Sequence, residues 1–171
     1  MDRIDLYDAQ RKITRTFMFD KGNIPKGLYY YTVHVWIYNC KKGFLIQQRS
    51  KYTKNLPDLW TTTSGTVLHR ETPIIAAYRE VKEELGIEID SNDLKLIYQY
   101  KRKQHFVDVF FIETNIELDK LVLQEIEVEN VKFASKTEIQ KMVERNEFYK
   151  YIYLPILNIN IKNDIAANNC K

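Results

Sequence analysis

The segment TPIIAAYREVKEELG, Thr72 to Gly86, is the strongest constraint on what this chain can fold into. Thr72 suits an N-cap, and Pro73 suits the first helical position, where its missing N–H costs nothing. Gly86 can turn left-handed and end the helix. At about 100° per residue, Ile74, Ala77, Tyr78, Val81 and Leu85 fall on one stripe, so the fold must supply an apolar surface to cover it. Glu80, Glu83 and Glu84 gather within an arc of about 100° off that stripe. Glu80 and Glu84 lie one turn apart and repel, at about 0.2–0.5 kcal/mol in an isolated helix. Arg79 can pair with Glu83 one turn on, and Lys82 points elsewhere, so Glu80 and Glu84 lack an intrahelical cation. A divalent cation with hard oxygen ligands resolves the conflict, and Mg²⁺ accepts one or two carboxylates while keeping waters. The plain alternative is a solvated face, because glutamate is a good helix former.

The apolar surface is readable on either side of this helix. Tyr29 to Tyr38 (YYYTVHVWIY) is rich in β-branched and aromatic residues, as a strand packed on both faces is. Lys41-Lys42-Gly43 signals a turn, Phe44 to Arg49 (FLIQQR) its hairpin partner, and Ser50 to Asp58 a loop. Leu59 to Ser64 is a short extended segment. Leu94 to Tyr100 and Phe106 to Glu113 read as adjacent strands, and Val131 to Ala134 as another. Ser135 and Glu138 form a capping box that opens a second helix to about Arg145. The tail from Phe148 is apolar to Leu157 and then polar, and its apolar part is read as helix on composition alone. The sum is an α+β domain, a mixed β-sheet sandwiched between α-helices. It is expected to be a single domain over 1–171, with a core of about 28–147, an N-terminal strand and extension (1–27) and a C-terminal tail (148–171).

A chain of 171 residues, 44% hydrophobic and 29% charged, is long enough for one domain with a real core. The net charge of +3 is small and both signs are scattered, so nucleic acid is not indicated. Cys40 and Cys170 have neither CxxC spacing nor a histidine cluster, which argues against a thiolate metal site or a disulfide framework. The N-terminus lacks the apolar run of a signal peptide, and no stretch approaches the roughly 20 apolar residues of a membrane span. A cytoplasmic, non-membrane protein is expected.

Gly65, Glu71, Arg79-Glu80-Val81, Glu83-Glu84 and Gly86-Ile87 match every fixed position of the Nudix box, Gx5Ex7REUxEExGU with U aliphatic. The chain therefore resembles Nudix hydrolases. The segments YYYTVHVWIYN, GFLIQQRS and LPDLWTTTSG, with IDLYD and IPKG ahead of them, look like the branch similar to isopentenyl-diphosphate isomerase. The likeness covers about residues 3 to 145. It implies a loop–helix–loop that binds Mg²⁺ or Mn²⁺ against a diphosphate. Glu80, Glu83 and Glu84 would be metal ligands, often joined by the Gly65 carbonyl, with Glu71 supporting them and Arg79 holding a carboxylate in place. Metal ions neutralise diphosphate oxygens and lower the pKa of an attacking water. Glu80, or one of Glu125, Glu127 and Glu129 with Glu127 first, would help remove the proton.

The departures from the isomerase pattern bear on the reaction. The isomerase places a catalytic cysteine just before the box glycine and a histidine just after it, and this chain has Thr62-Thr63-Ser64 and Thr66. Its histidine metal ligands have no counterpart near Tyr29-Tyr30, and His34 is read as a packed strand residue. Protonation and deprotonation of an isoprenoid carbon thus lose their acid and base. Hydrolysis of a diphosphate bond in a nucleoside-diphosphate-linked or related small molecule is the better reading, with a non-catalytic nucleotide-sensing module as the alternative. Arg70 stands where a glycine is frequent, as a solvated charge or a phosphate contact. Gln47, Arg49 and Lys51 are candidates for a phosphate or leaving-group site. The tyrosines are read mainly as sheet packing. Nudix proteins of this type occur as monomers and as homodimers.

Overall fold

A computed structural model describes residues 3–18 and 24–155. Strands β1 (Arg3–Tyr7) and β2 (Ile13–Met18) form an antiparallel hairpin of their own. The main sheet holds β3 (Tyr30–Asn39), β4 (Gly43–Arg49), β5 (Trp60–Thr61), β6 (Thr63–Thr66), β7 (Lys95–Lys101), β8 (His105–Glu113) and β9 (Val128–Ala134). Its spine runs β5-β4-β3-β8-β7, with β6 on β3 and β9 on β4. Among the strands of the described residues, β3 and β8 pair in parallel and the other pairs are antiparallel, so the sheet is mixed as expected.

Helices α1 (Pro73–Leu85) and α2 (Lys136–Glu144) cover opposite faces. Period-two alternation separates the faces. Tyr31, Val33, Val35 and Ile37 of β3 meet Ala76, Ala77, Val81 and Leu85 of α1. Trp36 of β3 and Val107, Val109 and Phe111 of β8 meet Ile139 and Met142 of α2. Thr72 accepts the Ile75 N–H, and Gly86 ends α1 at φ 70°. Both halves of the Ser135–Glu138 capping box are formed.

One feature of the register positions the site. β3 and β4 pair only from Ile37–Asn39 to Gly43–Leu45 and then part. Beyond that point β6 takes the β3 edge over Thr32–Val35, while β5 pairs with Gln47 and Gln48 of β4. A cleft opens where the two strands diverge. β9 starts at Val128 rather than Val131, because β4 offers it pairing as far as Arg49.

The expected helix in the tail is not formed over Phe148–Tyr153; helical geometry begins only at Leu154, and residues from 156 lie outside the described set. The chain instead lies along β5, with Trp60 and Phe148 bridged, and buries Phe148, Tyr151 and Tyr153 in the α2-side core. Spacings of three and two fit neither a helix nor a strand period, so this burial is set by the sheet edge they reach.

Candidate active site

The loop ahead of α1 is held from both sides. Glu71 accepts the Leu68 N–H at 2.9 Å and a two-point contact from Arg79, Nε to Oε1 at 2.7 Å and Nη2 to Oε2 at 3.0 Å. Burial alone would raise the Glu71 pKa, but Arg79 and the Leu68 N–H outweigh it and hold the group below its ordinary value. On the other side Asp5 of β1, itself buried, contacts His69 at 2.8 Å and accepts the Arg70 N–H at 3.1 Å. Arg70 has φ 68°, the left-handed region that explains why a glycine suits this position.

Arg79 gathers more acid than its sequence position suggested. Beside Glu71 it reaches Glu80 at 2.7 Å and Glu83 at 2.9 Å through Nη1, and donates to the Thr66 carbonyl at 2.9 Å. Glu80 therefore does have a cation on its own helix, its immediate neighbour, contrary to expectation. Its carboxyl is packed onto Gly65, where an added Cβ would stand 1.9 Å from the Glu80 carboxyl carbon. The glycine is needed for that approach.

Glu84 was expected off the core stripe and is instead buried. It accepts a hydrogen bond from Gln47 Nε2 at 2.8 Å, and Gln47 Oε1 accepts one from Thr63 at 2.9 Å. Burial, followed by repulsion from Glu80 and then Glu127, raises the Glu84 pKa to about 8. Burial is also the main cause for Glu80, with Glu83 and Glu127 adding to it; Arg79 opposes, and the pKa is raised to about 7.

These groups face a cleft of about 520 Å³. Gly65, Arg79, Glu80, Glu83, Glu84, Glu127 and Arg49 line it, whereas Glu71 supports it from behind Arg79. Glu125 and Glu129 are exposed and do not line it. Two expected substrate contacts also stand outside. Lys51 is exposed, with its ammonium 5.2 Å from the Tyr52 ring centroid, and Arg70 is exposed, with its backbone N–H bound to Asp5 of β1. Gln47 is a support for Glu84 rather than a wall of the cleft. No thiol lines the cleft among the described residues, and Ser64 and Thr66 flank Gly65 there. His34 is buried on the α2 side, with Nδ1 2.7 Å from the Tyr153 hydroxyl; burial lowers its pKa to about 3. It reaches the cleft as a neutral wall.

Sequence reasoning missed the supporting roles of Gln47 and Asp5, and the places of His105 and Gln124 in the cleft wall. Gln47 carried a signal: alternation along β4 places it and Arg49 on the face of Leu45, pointing polar groups toward α1. For Asp5 there was no local signal, since His69 and Arg70 lie far along the chain in the loop ahead of α1.

The NUDIX domain family model matches residues 28–154. An uncharacterized Nudix hydrolase of Listeria innocua is 36% identical over 155 residues, covering 90% of this chain and 92% of its own. An isopentenyl-diphosphate delta-isomerase of Gibberella zeae is 29% identical, over 57% of this chain and 48% of its own. Among solved structures, a protein of Deinococcus radiodurans superposes with a TM-score of 0.76 at 17% identity, covering 93% of this chain and 99% of that one. With this match over most of its length, and with the glutamates of its helix drawn into one cleft, the chain belongs to the Nudix hydrolases, enzymes that act on diphosphate bonds.

Proposed function

We propose that this chain is a divalent-metal-dependent pyrophosphohydrolase that cleaves the P–O–P bond of a nucleoside-diphosphate-linked or related small molecule. The observation that carries the reading is the pair Glu80 and Glu84, a half-buried and a buried carboxylate that line one open cleft, their pKa values raised to about 7 and about 8. Such a pair is strained without a counter-charge, and perturbed acids in a cleft are the usual mark of a working site.

The donors fit Mg²⁺ or Mn²⁺, because they are all hard oxygens. Among the described residues no three acid, histidine or cysteine side chains form a ready-made metal cage. Arg79 occupies Glu80 and Glu83, and Glu84 is turned to Gln47, so the acids are held apart. Mg²⁺ does not require a cage of protein ligands, since it keeps waters and shares the diphosphate oxygens. Glu80, Glu83, Glu84, the Gly65 carbonyl and Glu127 are the residues that would hold it. When bound, the metal supplies charge neutralisation at the diphosphate and a more acidic water.

The remaining work falls to side chains. Arg79 and Glu71 fix the approach of Glu80 and Glu83, and Gln47 fixes Glu84. Glu80, which lines the cleft against Gly65, is placed to accept the proton of the attacking water. Arg49 lines the same cleft and would meet the anionic substrate.

The test is phosphate release from a panel of diphosphates with Mg²⁺: nucleotide sugars, ADP-ribose, dinucleoside polyphosphates, nucleoside triphosphates and isoprenoid diphosphates. Turnover that disappears with EDTA is expected. It should also fall by at least about a hundredfold in Glu83→Gln, since even supporting residues of metal sites cost about 10–100-fold. Ligand binding without turnover of any member would replace the enzyme reading with a sensing module.

A further inference from the structure

Beside the acidic cleft lies a smaller pocket of about 230 Å³ that shares His34, Arg49 and Ser64 with it. Its character is opposite. No carboxylate lines it, and its walls carry Arg49 and Arg102. Among the described residues neither arginine forms an ion pair. Arg49 Nε donates to the Asn55 carbonyl at 2.9 Å, and Arg102 Nη1 donates to the Tyr149 hydroxyl at 2.9 Å. A guanidinium has five N–H donors, so each retains most of its capacity. The shared His34 is neutral and adds no charge.

Thr61 also lines this pocket, but its hydroxyl oxygen is out of reach of solvent and offers the pocket no donor. An oxyanion matches the donors that remain, accepting from two guanidinium groups.

We propose that this side pocket binds a second anionic group of the substrate, a phosphate or a carboxylate carried on the moiety attached to the diphosphate, with Arg102 as its specificity residue. The inference rests on the diphosphatase reading and narrows it to substrates with an additional anion. Arg49, shared by both cavities, spans the two anionic ends. Tyr149 holds the Arg102 guanidinium over the pocket.

Two matched pairs separate the possible anions: UDP-glucose against UDP-glucuronate for a carboxylate, and dephospho-coenzyme A against coenzyme A for a phosphate. Wild-type enzyme with Mg²⁺ is expected to favour the more anionic member of at least one pair by about tenfold in kcat/KM, the scale of one charge-assisted contact. Arg102→Gln should erase that preference through KM and leave the less anionic member unchanged, and Arg102→Lys should restore part of it. Arg102 is exposed, so the variants should keep the wild-type melting temperature. Absence of preference in both pairs, or an equal loss on both members in Arg102→Gln, overturns the proposal. If the wild type turns over neither pair, dissociation constants for the same compounds decide by calorimetry. A preference lost in Arg102→Gln keeps the pocket and leaves the hydrolase reading to the wider diphosphate panel, and no preference removes the pocket.

Discussion

Helices α1 and α2 lie on opposite faces of one sheet, and each is capped by a hydroxyl that accepts an N–H three residues on. Each buries an apolar stripe in its own half of the core. Their polar faces differ. On α2, Lys136, Thr137, Glu138, Gln140, Lys141 and Glu144 are exposed, and water satisfies their charge. On α1, Glu80 and Glu84 are enclosed between the helix, β6 and β4, and only Arg79 and Gln47 answer them. The same local rules thus make one helix a structural cover and the other a store of uncompensated charge. The store exists because β3 and β4 part and leave a cavity beside α1.

Removing the cation of that store should have the largest effect on stability. In Arg79→Ala, Glu71, Glu80 and Glu83 all lose their partner at sites where their side chains are 16%, 14% and 50% exposed. Breaking a fully buried pair costs about 3–5 kcal/mol, and partial exposure with protonation of Glu80 reduces that to about 2–3 kcal/mol. A fall of about 2–4 °C in melting temperature per kcal/mol is expected, with loss of turnover. Glu144→Ala on α2 should move neither. Equal effects in the two variants would dissolve the contrast between the helices.

The pH dependence follows from the same enclosure. Glu80 and Glu84 have folded pKa values of about 7 and 8 against an ordinary 4.5, so between these values the folded chain binds more protons than the unfolded one. Stability of the metal-free protein should therefore fall as pH rises from about 4.5 to 8. The slope has an upper bound of about 1.4 kcal/mol per pH unit for each group. Urea midpoints at pH 5, 6.5 and 8 in EDTA measure it, and Mg²⁺ at pH 8 should reverse the loss. A midpoint that rises over this range would show that the carboxylates are already compensated.

What was legible in the sequence divides along the same line. The caps and stripe of α1, the capping box of α2 and the strand pairs were readable because their causes lie within a few residues. The burial of Glu84 was not, since Gln47, 37 residues earlier in the chain, creates it. Nor was the aromatic tail: Tyr151 and Tyr153 are core residues only because the chain runs back along β5. Arg102 and Thr61 become neighbours across a pocket through the same path. The acids of the box were visible in sequence, and the cations and supports around them were tertiary.

A smaller effect tests Gly65. A Cβ there meets the end of the Glu80 side chain, which can swing away, so Gly65→Ala should leave melting within a few degrees of wild type. Glu80 would then no longer hold its position, and misplacement of a reacting group by about 1 Å can cost about a hundredfold. Turnover reduced at least about tenfold with an intact fold is the expected result, read as kcat against thermal melting. Unchanged turnover would mean that Glu80 does not work from the place it occupies here.

The caps give the finest comparison. Ser135 accepts the Glu138 N–H at 3.2 Å, and the Glu138 carboxylate accepts the Ser135 N–H at 2.7 Å. Thr72 accepts the Ile75 N–H at 3.4 Å and has no acidic partner in its first turn. Ser135→Ala should therefore destabilise by about 1 kcal/mol, and Thr72→Ala by about 0.5 kcal/mol. Activity should order them the other way. Fraying the start of α2 moves no group that lines the cleft, whereas loosening Thr72 loosens the neighbouring Glu71, through which Arg79 is held. Ser135→Ala with full kcat, and Thr72→Ala with reduced kcat despite its smaller loss of stability, would show that the first turn of α1 is kept for its carboxylates. A single ranking for both measurements would make the two helices equivalent after all.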